Sequence, residues 1–305
     1  MSIIEDFKRA GKPNDRDFFQ RFSFNNENER DICDACEYAA RHNHIPLFEW
    51  AYSRVTDSHS LLVNRKSLSA ASLSGNVFVL ESVLKSSRPN QTDIKKLYHN
   101  AAEKGHDVFI DSLIQKVGLS PENRIAVLIS ASRRGQCKIL NKYAPMTPNN
   151  HVFSSLFYAA VQNGHLDVLR WLENNPNSSM LVNDESRFYN LAHEAVANAH
   201  PHVLSHLLNS RIWPAAQDTN GLRFETQMVK NLNTLLRVSQ NPEKKHETLR
   251  LLLPHVSFEK WQKSQRYIDP FKNEYMLAVY AAYQKEMLQQ AVKEVSPSVS
   301  SRRKM

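Results

Sequence analysis

Three groupings of side chains in this 305-residue sequence carry residue types that could do chemistry. Cys33 and Cys36 form a C-x-x-C with His42 and His44 close behind, and thiolate with imidazole is a zinc-binding set. The two pairs stand closer together than the common zinc spacings. Cys36 also falls in an apolar helical pattern, where a buried cysteine behaves as a small hydrophobe. His193, His200, His202 and His206 lie within one fourteen-residue stretch and could bind metal or respond to pH; the plainer reading is a polar helix edge. Cys137 opens a helical pattern, where a helix N-terminus favours thiolate, but nothing in the sequence supplies a base for it.

Recognisable catalytic spacings are absent. His193-Glu194 lacks the second histidine of H-E-x-x-H, and there is no phosphate loop, dinucleotide glycine pattern or G-x-S-x-G elbow. No catalytic residue, metal ligand or cofactor is therefore assigned. An enzyme would need a site assembled from distant residues after 210, with the preceding segments selecting its substrate.

The elements that carry these residues repeat. With Gly164 as position zero, Ala160 stands at minus 4, Val168 and Leu169 at plus 4 and plus 5, and Leu172 at plus 8. The same frame fits around Asn43, Gly75, Gly105, Gly135 and Ala199, each with Ala at minus 4. The zero positions 43, 75, 105, 135, 164 and 199 are spaced by 32, 30, 30, 29 and 35 residues, the range of short helical repeats. Apolar residues at plus 4, 5 and 8 share one helical face. Gly or Asn at zero suits the left-handed residue that ends a helix. Each unit reads as helix, tight turn, helix, and must stack on its neighbours to bury its apolar face.

Ala101-Ala102-Glu103-Lys104-Gly105-His106 and Ala160-Val161-Gln162-Asn163-Gly164-His165 resemble the ankyrin repeat family. The family's histidine six before the glycine appears as His99 and His193, and its leucine seven before as Leu68 and Leu128. Thr-Pro is missing from every unit, and the whole chain has only 7 Gly, so the connectors are expected to be irregular loops. Tetratricopeptide and HEAT repeats are alternatives whose longer periods fit less well. The resemblance implies an all-α helical-repeat solenoid with a concave face. Positions minus 5, minus 2 and minus 1, on the first helix of each pair but off its core stripe, would line that face. They include Tyr38, Arg41, His42, Asn100, Lys104, Arg133, Arg134, Gln162, Asn163, Glu194 and Asn198. Arg133 and Arg134 are the strongest pair, because guanidinium forks suit carboxylates and interfaces.

The expected organisation is a helical cap over residues 1–30, with Phe18, Phe19 and Phe22 covering the first repeat, then six repeats over 31–210. A divergent repeat and C-terminal helical cap occupy 211–294, and 295–305 is a polar tail too poor in apolar residues to fold. Connectors are placed at 56–64, 86–92, 145–150 and 174–185. No apolar run reaches the length of a membrane span. The opening MSIIEDFKRAGK lacks a secretory leader pattern. Three cysteines, an odd count, fit a reducing, cytoplasmic setting.

These features point to a protein-interaction scaffold acting through the concave face. Net charge is +8, from 39 basic and 31 acidic residues. From residue 205 onward 16 Lys and Arg face 9 Asp and Glu, a surplus of 7, so nucleic acid or anionic lipid is the alternative partner. Degenerate, glycine-poor ankyrin arrays with a short Ser-rich basic tail resemble effectors that intracellular bacteria deliver into host cells, which would place the chain in host cytoplasm.

Overall fold

A computed structural model describes residues 3–12, 19, 28–144, 150–176, 181, 184–210, 213, 222–237, 242–256, 278, 280–285 and 288–289. Every regular element among them is helical, and no helix among them is long and apolar enough to cross a membrane. The chain divides into two compact units, residues 1–160 with 167–172 and residues 161–166 with 173–305.

In the first unit α1 (Ile3–Arg9) precedes a succession of helix pairs. They are α2 (Glu29–Arg41) with α3 (Ile45–Tyr52), α4 (Asp57–Ser74) with α5 (Val77–Ser86), α6 (Gln91–Lys104) with α7 (Asp107–Val117), and α8 (Pro121–Arg133) with α9 (Cys137–Tyr143). Leading helices pack in chain order, α2 on α4, α4 on α6 and α6 on α8, and the trailing helices α3, α5 and α7 do the same. The boundary between the units runs through α10 (Asn150–Gln162) and α11 (Leu166–Glu173). In the second unit α12 (Glu185–Ala197) and α13 (Pro201–Asn209) are followed by α14 (Leu222–Arg237) and α15 (Pro242–Leu252), with a 3-10 turn over Leu253–His255. There α12 packs on α14 and α13 on α15.

The turn inside each pair has one construction. Asn43, Gly75, Gly105, Gly135, Gly164 and Ala199 all have φ between 55° and 78°. The amide one residue later donates to the alanine carbonyl five residues back, from His44 to Ala39, Asn76 to Ala71, His106 to Ala101, Gln136 to Ala131 and His200 to Ala195, at 2.8–3.0 Å. This bond closes a carbonyl that the end of an α-helix leaves unsatisfied. The alanines at minus 4 are fully buried, and the side chains at plus 4, 5 and 8 are at most 7 % exposed. Each such Val, Leu, Ile or Phe contributes about 1.5–3 kcal/mol by burial. That outweighs the left-handed cost of about 1–2 kcal/mol at Asn43 and Ala199, so those two turns form without glycine.

A second requirement on the glycines comes from the following pair. His106 Nε2–H donates to the Leu73 carbonyl at 3.1 Å, Gln136 Nε2–H to Glu103 at 3.3 Å and His200 Nε2–H to Gln162 at 2.9 Å. Each acceptor lies two residues before a zero-position glycine, and the donating side chain lies across that glycine. A Cβ on Gly75 would stand 2.7 Å from the His106 ring, and one on Gly164 2.6 Å from the His200 ring. Asn76, which follows the pair built on Asn43, instead turns its side-chain oxygen onto the Val79 amide at 3.1 Å.

Starts of helices follow the sequence closely. Asn28, Asn90, Ser120 and Asp184 cap α2, α6, α8 and α12 with side-chain oxygens on amides of the first turn. The expected connector at 56–64 is instead the first half of an 18-residue helix. Thr56 takes an extended backbone ahead of Asp57, an acid in the first turn of a helix is favourable, and 57–74 contain no Gly or Pro. At the N-terminal end Phe19 is 2 % exposed, with its ring 6.0 Å from Phe7 and 6.4 Å from Trp50; Phe18 and Phe22 lie outside the described residues, as does the tail 295–305. Towards the end of the expected C-terminal helical cap, 278, 280–285 and 288–289 are described and helical, and Leu288 is 68 % exposed.

Candidate functional site

The residues assigned to a binding face fall into separate sets in the two units. In the first, Arg41, His42, Lys104, Arg133 and Arg134 are exposed and Tyr38 is half-buried. Asn100 corrects the expectation for minus 5. It is 8 % exposed and its amide donates to Ser72 Oγ at 3.0 Å. Ala70, Ser130 and Ala159, at the same position in their pairs, are also buried. Minus 5 is buried in these four pairs and half-buried at Tyr38 and Glu194, and the exposed residues of the set stand at minus 2 and minus 1. Arg41 pairs with Glu37 one turn back at 2.7 Å. Arg134 reaches Glu103 at 3.6 Å, while Lys104 has no ion pair or hydrogen bond among the described residues. Exposed pairs of this kind contribute about 0–1 kcal/mol, so the pairs of Arg41 and Arg134 add little to folding.

In the second unit Gln162, Asn163 and Asn198 are exposed and Glu194 is half-buried. Gln162 donates to the Glu194 carboxylate at 3.1 Å, and Asn198 donates to the same carboxylate at 3.2 Å. The four clustered histidines go to four different partners. His193 Nδ1 meets Asn231 Oδ1 at 3.1 Å, His200 and His202 donate to the carbonyls of Gln162 and Gly164, and His206 meets Glu173 at 2.7 Å. They are interlocking parts of the fold and do not converge on one point.

Burial holds His200 below the usual histidine value, with smaller repulsions from His202 and Lys244. A histidine depressed in the folded state binds fewer protons there than in the unfolded chain, so stability rises with pH across its titration. Its contribution is present in full above about 6.5 and is lost as pH falls through the lower folded value. His200→Gln should keep the bond to Gln162, as Gln136 does at the equivalent step. It should also flatten the melting temperature between pH 5 and 7; an unchanged slope would exclude His200 as the titrating group.

The C-x-x-C does not present two thiolates. Cys33 and Cys36 are 3 % and 0 % exposed, and burial raises both thiols above the usual range. His42 lies against Tyr38, ring centroids 4.3 Å apart, and His44 Nδ1 accepts from the Leu47 amide. Cys137 corrects the expectation of a favoured thiolate. Burial, with the charge of Asp167, pushes it up.

One arrangement escaped the sequence reading. Ser130 Oγ stands 2.6 Å from His99 Nδ1, and His99 Nε2 stands 3.5 Å from Glu103. Serine, histidine and carboxylate in that order resemble a hydrolytic triad. Ser130, however, is 2 % exposed and donates its proton to the Ala126 carbonyl at 2.6 Å. His99 Nδ1–H therefore donates to the hydroxyl and cannot act as its base. The arrangement ties α6 to α8. The residues are thirty-one apart, so only stacking of successive pairs brings them together. In the second unit a cavity of about 520 Å³ is lined by Tyr189, Arg223, Gln227 and Lys230 among others. Arg223 is tied to Glu185 at 2.6 Å, and the described lining residues include no carboxylate or imidazole to serve as a base.

No protein-family model matches the chain, and comparison with curated proteins and with solved structures finds no significant match to either.

Proposed function

We propose that the helix pairs are ankyrin-like repeats and that the chain is a protein-interaction scaffold, with Lys104, Arg133 and Arg134 as the centre of the binding face. The observation that carries the reading is their placement. The three cations sit at the ends of successive leading helices, at positions minus 1, minus 2 and minus 1, and all three are exposed. Three cations presented in register suit an acidic protein surface, where guanidinium forks bind carboxylates in two-point contacts. Helix C-termini also attract cations through the helix dipole, but that effect is worth only about 0.3–1 kcal/mol. The effector reading would follow only if the partner proves to be a host protein.

The test compares the wild-type chain with Lys104→Glu/Arg133→Glu/Arg134→Glu as bait, with low-salt and high-salt washes. The variant should unfold within about 0.5 kcal/mol of wild type, and a protein retained by wild type at high salt should bind it at least about tenfold more weakly. Equal retention of that protein removes these residues from the binding face. Nucleic acid or lipid released at high salt from both baits would shift the assignment to the basic C-terminal third. Of that region's cations, Arg211, Lys260, Lys263, Arg266, Lys272, Lys293, Arg302, Arg303 and Lys304 lie outside the described residues.

A further inference from the structure

The long helix α4 creates a site of a different kind. It is 18 residues against 13 in α2 and 14 in α6, and Leu61 in its second turn is 77 % exposed. Beneath lies a cavity of about 430 Å³, walled by α2, α4, α6 and residues 87–90. Its volume is within the range of ligand-binding clefts. Leu68, Ala70 and Leu97, each 2 % exposed, contribute apolar wall.

Five cations and two carboxylates line it. Arg41 and Lys66 share Glu37 at 2.7 and 3.6 Å, Lys66 also reaches Asp34 at 3.2 Å, and Arg65 holds Asp93 at 2.9 Å. Both lining carboxylates are thereby neutralised. Arg88, from the 87–90 segment, and Lys96, on α6, are exposed and have no hydrogen bond or ion pair among the described residues. Two unmatched cations thus share one cleft with an exposed leucine.

We infer that this cleft is a docking site for an acidic peptide segment of a partner protein, with carboxylates on Arg88 and Lys96 and an apolar side chain on Leu61. Charge complementarity and the apolar rim favour a peptide over nucleic acid. No aromatic side chain is among the described lining residues to stack a base, and the leucines of the wall and rim, Leu61, Leu68 and Leu97, offer a sugar-phosphate backbone nothing to bind. A small inorganic anion would use the two cations but would gain nothing from Leu61. The inference goes beyond the scaffold reading and does not depend on Lys104, Arg133 or Arg134.

The experiment is fluorescence anisotropy on the full chain with a labelled eight-residue probe of glutamates and two leucines. The wild type should bind it, and more weakly as salt is raised. Arg88→Glu/Lys96→Glu should weaken binding about tenfold or more and Leu61→Ser about threefold, while Arg88→Lys should retain it. All three sites are exposed, so far-UV circular dichroism and the urea midpoint should match wild type in each variant. The Lys104→Glu/Arg133→Glu/Arg134→Glu chain should bind the probe as wild type does, which separates this site from the proposed scaffold face. Failure of wild type to bind, or equal binding by Arg88→Glu/Lys96→Glu, would overturn the assignment. So would inorganic pyrophosphate or a short oligonucleotide binding more tightly than the peptide, or a Leu61→Ser variant that binds undiminished.

Discussion

Glu173→Ala should destabilise the second unit by about 3 kcal/mol, the scale expected when two donors lose the buried carboxylate they share. The Glu173 side chain is 1 % exposed and holds two donors. His206 Nε2 lies 2.7 Å from one carboxylate oxygen, and Trp213 Nε1–H donates to the other at 2.5 Å. Truncation leaves an indole N–H and an imidazole without their acceptor in a dry site, and the desolvation cost of each falls on the folded state alone. Urea unfolding followed by far-UV circular dichroism should show a lower midpoint with little change in slope. Trp213→Phe, which keeps an aromatic ring but removes the donor, should cost about 1–3 kcal/mol. A Glu173→Ala midpoint within error of wild type would mean that water replaces the carboxylate and that the site is less closed than its burial implies.

Gly164→Ala should cost about 2 kcal/mol, from two separable causes. The left-handed backbone disfavours any Cβ by about 1–2 kcal/mol, partly offset by the lower entropy of the unfolded alanine chain. The added Cβ would also meet the His200 ring and displace it from the Gln162 carbonyl, losing a bond worth about 1 kcal/mol. The two causes part in a double-mutant cycle. In a His200→Ala background Gly164→Ala should cost only the backbone part, so the pair should be less than additive. Full additivity would show that the ring moves aside freely. Ala199→Gly is the converse and should stabilise by about 0.5–1 kcal/mol, because Ala199 has φ 58°.

Much of the local architecture was legible from spacing alone. A frame of Ala at minus 4, a turn residue at zero and apolar residues at plus 4, 5 and 8 depends on helix period and on the steric preference of the left-handed region. Both are local, so they act at the same positions in every unit, and they hold at Asn43 and Ala199 where glycine is missing. The expectation at 56–64 failed because Ser, His and Asp mark both loops and first helical turns, and neighbouring helices decide between them.

The candidate sites were less legible. That Asn100 is buried while Lys104, on the same helix, is exposed depends on the angle at which α6 meets α4, which no single helix encodes. Glu173, His206 and Trp213 span forty residues, and of the three the sequence marked only His206, as part of a polar helix edge. Arg88, Lys96 and Leu61 likewise come from three separate segments, with nothing in their spacing to link them. Helix period and backbone sterics are short-range and are written in the sequence; the partners of charged and polar groups are long-range, and only the packing of successive helix pairs selects them.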